Sequence, residues 1–85
     1  MAQFTYIVTD PQGIHARPAG ELVKQAAAFA GNVKIAANGR EVDAKRIMGV
    51  MSLGVKQGMD ITITCEGDGA DEAAAAIEAF LKANL

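Results

Sequence analysis

Residues 33–43 read Val-Lys-Ile-Ala-Ala-Asn-Gly-Arg-Glu-Val-Asp, and this stretch decides how the sheet is built. In its first half an apolar side chain recurs every second residue, which is the period of a strand with one apolar face. The Asn38-Gly39 pair is a strong signal for a two-residue hairpin turn, because both central turn positions need a positive φ. The pattern therefore predicts two adjacent antiparallel strands, residues 33–37 and 40–43.

The segments on either side extend this pattern. Residues 3–9 (QFTYIVT) and 60–66 also alternate as strands do, whereas three other segments have apolar residues at helical spacing. The predicted helices cover residues 16–30, 46–53 and 70–83. Gly31 and Asn32 are expected to end the first helix with a left-handed residue. Because each strand has one apolar face, we expect an α+β fold, β-α-β-β-α-β-α, with helices on one side of an antiparallel sheet.

Composition excludes several classes of protein. The chain has 85 residues, which is typical of a single domain spanning residues 1–85. It has one cysteine and one histidine, so an intramolecular disulfide is impossible and a metal centre is not expected. The formal net charge of −2 argues against nucleic-acid binding. Since no apolar run approaches the roughly 20 residues of a membrane helix and no export signal is recognisable, we expect a cytoplasmic monomer without membrane insertion or cofactor.

Residues 13–20 read Gly-Ile-His-Ala-Arg-Pro-Ala-Gly and contain the candidate chemistry. His15 comes just before a helix start marked by Pro18, where N–H groups without an intrahelical partner favour an anion. Arg17 adds a planar donor fork that suits phosphate. Because histidine titrates near neutrality, its unprotonated ring nitrogen can attack a phosphoryl donor. On these residues alone, phosphate binding without chemistry and simple helix capping are the alternatives.

Together with residues 45–58 (KRIMGVMSLGVKQG), this segment strongly resembles the HPr phosphocarrier family of the bacterial phosphoenolpyruvate:sugar phosphotransferase system. The resemblance extends over the whole chain. It implies a four-stranded antiparallel sheet in the order 1-4-2-3, covered on one face by three helices. It also implies that the catalytic residues are His15, phosphorylated at Nδ1 by phosphorylated enzyme I, and Arg17. The acceptors would be the IIA domains of sugar permeases.

The phosphate on His15 would be stabilised by the helix start, formed by Ala16, Arg17 and Pro18. Gln12 is assigned a supporting role, although many family members have a shorter Ser or Asn there. Arg46 is a second departure, because many Gram-positive members have at this position a serine that HPr kinase phosphorylates. We therefore expect no regulatory serine phosphorylation at position 46.

The short second helix corresponds to the docking surface of the family. It has too many apolar residues to bury them all, so we expect Val50 and Leu53 in the core and Ile47, Met48 and Met51 exposed. Flexible methionine side chains suit a surface that fits several partners. A basic rim that steers acidic partners is expected around it. This rim would consist of Arg17, Lys24, Lys45 and Arg46.

Other functions stay open at this point. The chain could be a specialised HPr paralogue that serves nitrogen regulation or dihydroxyacetone phosphorylation, or a small-molecule-binding α+β module. An RNA-binding ferredoxin-like module would need stacking aromatic residues and a basic surplus. The chain has three Phe, one Tyr and no Trp, which does not favour it.

Overall fold

The computed structural model describes all 85 residues. The strands are β1 (Ala2–Ile7), β2 (Asn32–Ala37), β3 (Arg40–Asp43) and β4 (Asp60–Glu66). The helices are α1 (Ala16–Ala27), α2 (Ile47–Ser52) and α3 (Ala70–Asn84). The predicted order of elements is confirmed. None of the three helices combines the length and the hydropathy that a membrane span requires.

The four strands form one antiparallel sheet in the order β1-β4-β2-β3. The hairpin between β2 and β3 turns at Asn38 and Gly39, whose φ angles are 55° and 76°. Both positive values were required by the turn that the sequence predicts. The last strand, β4, pairs with both β1 and β2, so a strand far along the chain completes the centre of the sheet.

A single hydrophobic core lies between one face of the sheet and the helices. Its largest fully buried side chains come from both layers and include Leu22, Ile35, Ile61, Ile63, Ile77 and Leu81. The other face of the sheet carries polar residues. There Gln3 Nε2 donates a hydrogen bond to Thr64 Oγ1 at 3.0 Å, and the hydroxyl oxygens of Thr5 and Thr62 lie 3.3 Å apart. The fold is therefore an open-faced sandwich.

Two boundaries differ from the prediction by more than one residue. β1 ends at Ile7 rather than at residue 9, and α1 ends at Ala27 rather than at residue 30. The expected left-handed helix end at Gly31 or Asn32 is wrong, because neither residue has a positive φ. Gly31 is required for a different reason. A Cβ at this position would overlap the carbonyl oxygen of Glu66 and the ring of Phe29, so only glycine allows this close approach.

Candidate functional site

The loop between β1 and α1, which we term the His15 loop, comprises residues 8–15. It is held to the rest of the fold by backbone hydrogen bonds. The N–H groups of Thr9 and Asp10 donate to the carbonyl oxygen of Leu85 at 2.5 and 2.9 Å, and the N–H of Ile14 donates to that of Val55 at 3.1 Å. The end of α3 and the segment before β4 therefore fix the position of the loop.

Gly13 is the residue at which the His15 loop packs most closely against the rest of the backbone. Its φ is 67°, and a Cβ there would overlap the carbonyl oxygen of Val55 and the Cα of Lys56. Its N–H donates to the carbonyl oxygen of Asp10 at 2.9 Å, and its carbonyl oxygen accepts from the N–H of His15 at 3.1 Å. Only glycine tolerates both the backbone angle and the close approach. This turn brings His15 to the start of α1.

His15 is the N-cap residue of α1, with extended backbone angles and no hydrogen bond from its ring to the helix. The side chain is 37% exposed. In the first turn, the N–H groups of Ala16 and Arg17 have no backbone partner, and Pro18 has no N–H at all. Such unpaired N–H groups are typical of a helix start. The simple-capping alternative therefore does not describe this histidine, because its ring does not cap the helix.

Asp10 faces the imidazole, a contact that the sequence pattern did not predict. Its Oδ1 accepts a hydrogen bond from the N–H of Gln12 at 2.8 Å. Its Oδ2 lies 3.7 Å from His15 Nε2, and its side chain is 25% exposed. The sequence pattern identified Asp10 only as part of a turn. The available signal was the Asx-turn, in which Asp bonds the backbone two residues on and thereby fixes its carboxylate.

An open cavity of about 170 Å³ lies beside the imidazole. It is lined by Asp10, His15, Arg17, Pro18, Glu21 and Asn84. The ion pairs of the protein do not involve Arg17, so its guanidinium is free to bind an anion. The structure therefore brings three predicted site residues, His15, Arg17 and Pro18, to one cavity.

The other predicted members of the phosphate site are placed differently. Ala16 does not line the cavity, although its unpaired N–H belongs to the same helix start. Gln12 is exposed and does not line the cavity, and its N–H is already bonded to Asp10. Its supporting role stays a prediction.

The α2 patch consists of Ile47, Met48 and Met51, which are 39%, 79% and 41% exposed. Val50 and Leu53 are 1% and 3% exposed, so the predicted division of the helix into exposed and core positions is confirmed. The chain has five exposed large apolar residues, and α2 holds three of them. The patch lies against α1, because a Cβ on Gly20 would be 3.7 Å from Ile47 Cδ1.

The basic rim predicted around the patch is only partly available. Lys45 Nζ donates to the carbonyl oxygen of Phe29 at 2.6 Å, so its ammonium is committed to the protein. Arg46 is strongly exposed, with its Nε 3.8 Å from Asp43 Oδ2. Lys24 and Arg17 are exposed and form no ion pair. Three of the four predicted cations therefore remain accessible to a partner.

Cys65 takes no part in this site. It lies in β4 and is fully buried in the core. Burial raises the pKa of its thiol, because the thiolate would lose its hydration. The thiol is therefore held in its protonated, unreactive form.

Comparisons with known proteins converge on one description. A family model described as the PTS HPr component phosphorylation site matches residues 2–83. The phosphocarrier protein HPr of Mycoplasma capricolum is 46% identical over 78 residues, which cover 92% of this chain and 88% of that protein. The crystal structure of an HPr from Thermoanaerobacter tengcongensis superimposes with a TM-score of 0.93 at 36% identity, covering 98% of this chain and 93% of that one. An HPr dimer from the same organism has a TM-score of 0.77 at 36% identity, covering 98% and 95% of the two chains.

Proposed function

This chain belongs to the HPr family of phosphocarrier proteins of the bacterial phosphotransferase system, and on that premise we propose that His15 accepts a phosphoryl group at Nδ1 from phosphorylated enzyme I. It then passes the group to the IIA domains of sugar permeases. The family identity makes the protein a carrier rather than a catalyst.

One observation carries the proposal: the His15 ring is half-exposed at a helix start without capping it, beside a free guanidinium. The ring makes no hydrogen bond to the helix, so Nδ1 is not occupied by a cap. The neighbouring N–H groups of Ala16 and Arg17 have no backbone partner. A phosphoryl group on the ring would meet donors on a pre-arranged backbone, together with the positive end of the helix dipole.

Each transfer step needs only the imidazole ring of His15 and one partner, which is the donor enzyme I in the first step and the acceptor IIA domain in the second. The lone pair of Nδ1 attacks the phosphorus, and the N–P bond forms as the bond from phosphorus to its donor atom in enzyme I breaks. The bonding electron pair leaves with that donor atom. In the second step the N–P bond breaks, its electron pair returns to Nδ1, and the acceptor group on the IIA domain bonds to phosphorus.

The site stabilises the phosphoryl group only moderately, which suits a carrier. A hydrogen bond to a charged group contributes roughly 1.5–3 kcal/mol. The helix N–H groups and Arg17 offer a small number of such bonds, while Asp10 and Glu21 add negative charge to the same cavity. Stabilising donors and opposing carboxylates together keep the phosphoryl group bound but transferable.

Partner docking is proposed for the α2 patch, with Lys24, Lys45 and Arg46 around it. The exposure of Met48, at 79%, supports this role, because a contiguous group of exposed apolar side chains marks an interaction surface. The cations would speed the encounter with acidic partners. Lys45 contributes least, because its ammonium is bonded to the Phe29 carbonyl.

We place this relay in the cytoplasm, where the free thiol of Cys65 would stay reduced. The monomeric state stays a prediction, because a related HPr was solved as a dimer.

The test is to incubate the protein with enzyme I and phosphoenolpyruvate and to analyse the bound phosphate. We expect one phosphate that is labile in acid and stable in alkali, absent from His15→Ala. Since the chain has a single histidine, any phosphohistidine must be residue 15. ³¹P NMR then separates an Nδ1 from an Nε2 adduct. An acid-stable phosphate, or full labelling of His15→Ala, would overturn the proposal.

The acceptors are tested by mixing the phosphorylated protein with a panel of purified IIA domains. Rapid transfer to sugar-permease IIA domains is expected. Transfer only to a nitrogen-regulatory or dihydroxyacetone-specific acceptor would instead assign the chain to a specialised paralogue.

A further inference from the structure

We propose that Asp10 is a positioning residue whose carboxylate holds the His15 imidazole in the tautomer protonated at Nε2, leaving the lone pair of Nδ1 available for the phosphoryl group. The inference rests on the proposed function, because it explains how the ring is prepared for that step. It assigns a role to a residue that the sequence motif around His15 does not include.

The backbones of both partners in this contact are fixed by hydrogen bonds. The N–H of Asp10 donates to the Leu85 carbonyl oxygen at 2.9 Å, and its carbonyl oxygen accepts from Gly13 at 2.9 Å. The N–H of His15 donates to the Gly13 carbonyl oxygen, and the N–H of Ala19 donates to the His15 carbonyl oxygen at 3.0 Å. The backbone positions of the two residues are therefore fixed by the fold.

The Asp10 carboxylate is also oriented. Oδ1 accepts from the N–H of Gln12 at 2.8 Å, which directs Oδ2 toward His15 Nε2 at 3.7 Å. This is about 0.7 Å longer than a usual N–H···O hydrogen bond. Such bonds are often long in the unbound state and shorten when the partner arrives. Glu21 lines the same cavity but forms no ion pair with the ring, so Asp10 is the only carboxylate within ion-pair distance of it.

A carboxylate is an acceptor only, so the ring nitrogen that faces it is favoured in its protonated form. With the proton on Nε2, Nδ1 has a free lone pair on the side of the ring that no helix bond occupies. When Nδ1 attacks phosphorus, the ring gains a positive charge that is shared with Nε2–H. The Asp10 carboxylate lies beside that charge and stabilises it. When the N–P bond later breaks, the charge disappears and the proton stays on Nε2, so no proton has to move in either direction.

Two substitutions separate this role from a purely structural role in the loop. In Asp10→Asn, the amide oxygen can still accept the Gln12 N–H, but the amide NH₂ now faces Nε2 and donates to its lone pair, which favours the Nδ1–H tautomer. In Asp10→Ser, the hydroxyl can keep the local turn but is too short to reach the ring. Both variants therefore preserve the turn and differ only in what they present to Nε2.

The experiment measures two quantities in the wild type and both variants. ¹⁵N NMR of the imidazole at pH 8, where histidine is ordinarily neutral, reports the tautomer. Stopped or quenched flow reports the rate constant for phosphorylation by phosphorylated enzyme I. We expect mainly Nε2–H in the wild type, a mixture in Asp10→Ser and mainly Nδ1–H in Asp10→Asn. The rate should fall in the same order, by about three- to tenfold in Asp10→Asn, the effect of one lost hydrogen bond.

A wild-type tautomer and rate in Asp10→Asn would overturn the inference. Equal rate losses in both variants with an unchanged tautomer would also overturn it, because Asp10 would then act only through the loop. Failure of the proposed function is distinguishable, since it would appear in the wild type as the absence of a phosphate that depends on His15.

Discussion

The His15 loop leads into α1 and the α2 patch packs against the same helix, but the two regions are built in opposite ways. In the loop, every available backbone N–H from Thr9 to His15 donates a hydrogen bond, and Gly13 has no room for a Cβ. In the patch, three apolar side chains of a short helix are exposed to solvent. The first region holds a few atoms in one geometry, whereas the second offers flexible apolar surface.

This difference suits the roles that we propose for the two regions. Chemistry on an imidazole needs its reacting atoms placed to within a fraction of an ångström, so backbone hydrogen bonds and a glycine are suitable supports. Docking against several partners needs a surface that adapts, and methionine side chains provide it with little strain. The proposed phosphoryl site is therefore rigid, and the proposed docking surface is adaptable.

The largest expected effect is on the rigid region. Gly13→Ala should lower the free energy of unfolding by about 3 kcal/mol, because a Cβ adds overlap with the Val55 carbonyl to the cost of a positive φ. The matched control is Gly39→Ala, at a φ of 76° with nothing within 4 Å of the added Cβ. It should lose only about 1 kcal/mol. Urea denaturation measures both. Equal losses of unfolding free energy in the two variants would contradict the prediction, because the His15 loop would then have moved to accommodate the added Cβ.

The next effect concerns the anion-binding donors. Arg17→Ala should slow phosphorylation by enzyme I about 30-fold, which corresponds to one charge-assisted hydrogen bond of about 2 kcal/mol. Arg17→Lys should recover part of the rate, since it keeps the charge but not the planar fork. The folded state should be unaffected, because Arg17 is exposed and unpaired. A rate for Arg17→Ala within twofold of the wild type would remove Arg17 from the site.

A smaller effect is expected at the adaptable region. Met48→Ala should weaken binding of enzyme I about fivefold, leave the rate at saturating enzyme I unchanged, and alter stability by less than about 0.5 kcal/mol. Val50→Ala, in the same helix but buried, should do the reverse and cost about 2 kcal/mol of stability with little change in binding. Titration calorimetry and thermal unfolding separate the two. Normal binding by Met48→Ala would show that docking occurs elsewhere.

The smallest effect concerns the exposed cations. The double variant Lys24→Ala, Arg46→Ala should lower the association rate with enzyme I about two- to threefold at low salt, and the difference should vanish as salt screens the charges. Lys34→Ala is the control, because Lys34 lies on the sheet with Nζ 4.0 Å from Glu41 Oε1. Stopped-flow kinetics at several salt concentrations measures both. An unchanged rate for the double variant at low salt would rule out steering by these residues.

Much of the molecule could be predicted from local pattern. The alternation in β2 and the Asn38-Gly39 turn predicted the hairpin correctly, because the pleat and the turn angles are properties of a few adjacent residues. The exposure of Met48 and the burial of Val50 were also predicted from a local pattern, because a short helix with apolar residues all around it can bury only one face. The end of α1 was not predicted correctly. Gly31 is required by its close approach to the carbonyl oxygen of the distant Glu66, and not by a left-handed end of the helix.

By itself, the sequence determined the order of strands and helices, their apolar faces, and the placing of one histidine and one arginine at a helix start. Periodicity and turn preference act over a few residues, so these features can be read along the chain. Only the tertiary structure decided that Val55 and Leu85 would hold the His15 loop and that Asp10 would face Nε2. The contacts with Val55 and Leu85 join segments far apart in sequence, which no local pattern specifies. The Asx-turn of Asp10 is a local signal for a fixed carboxylate, but it does not specify which side chain that carboxylate faces.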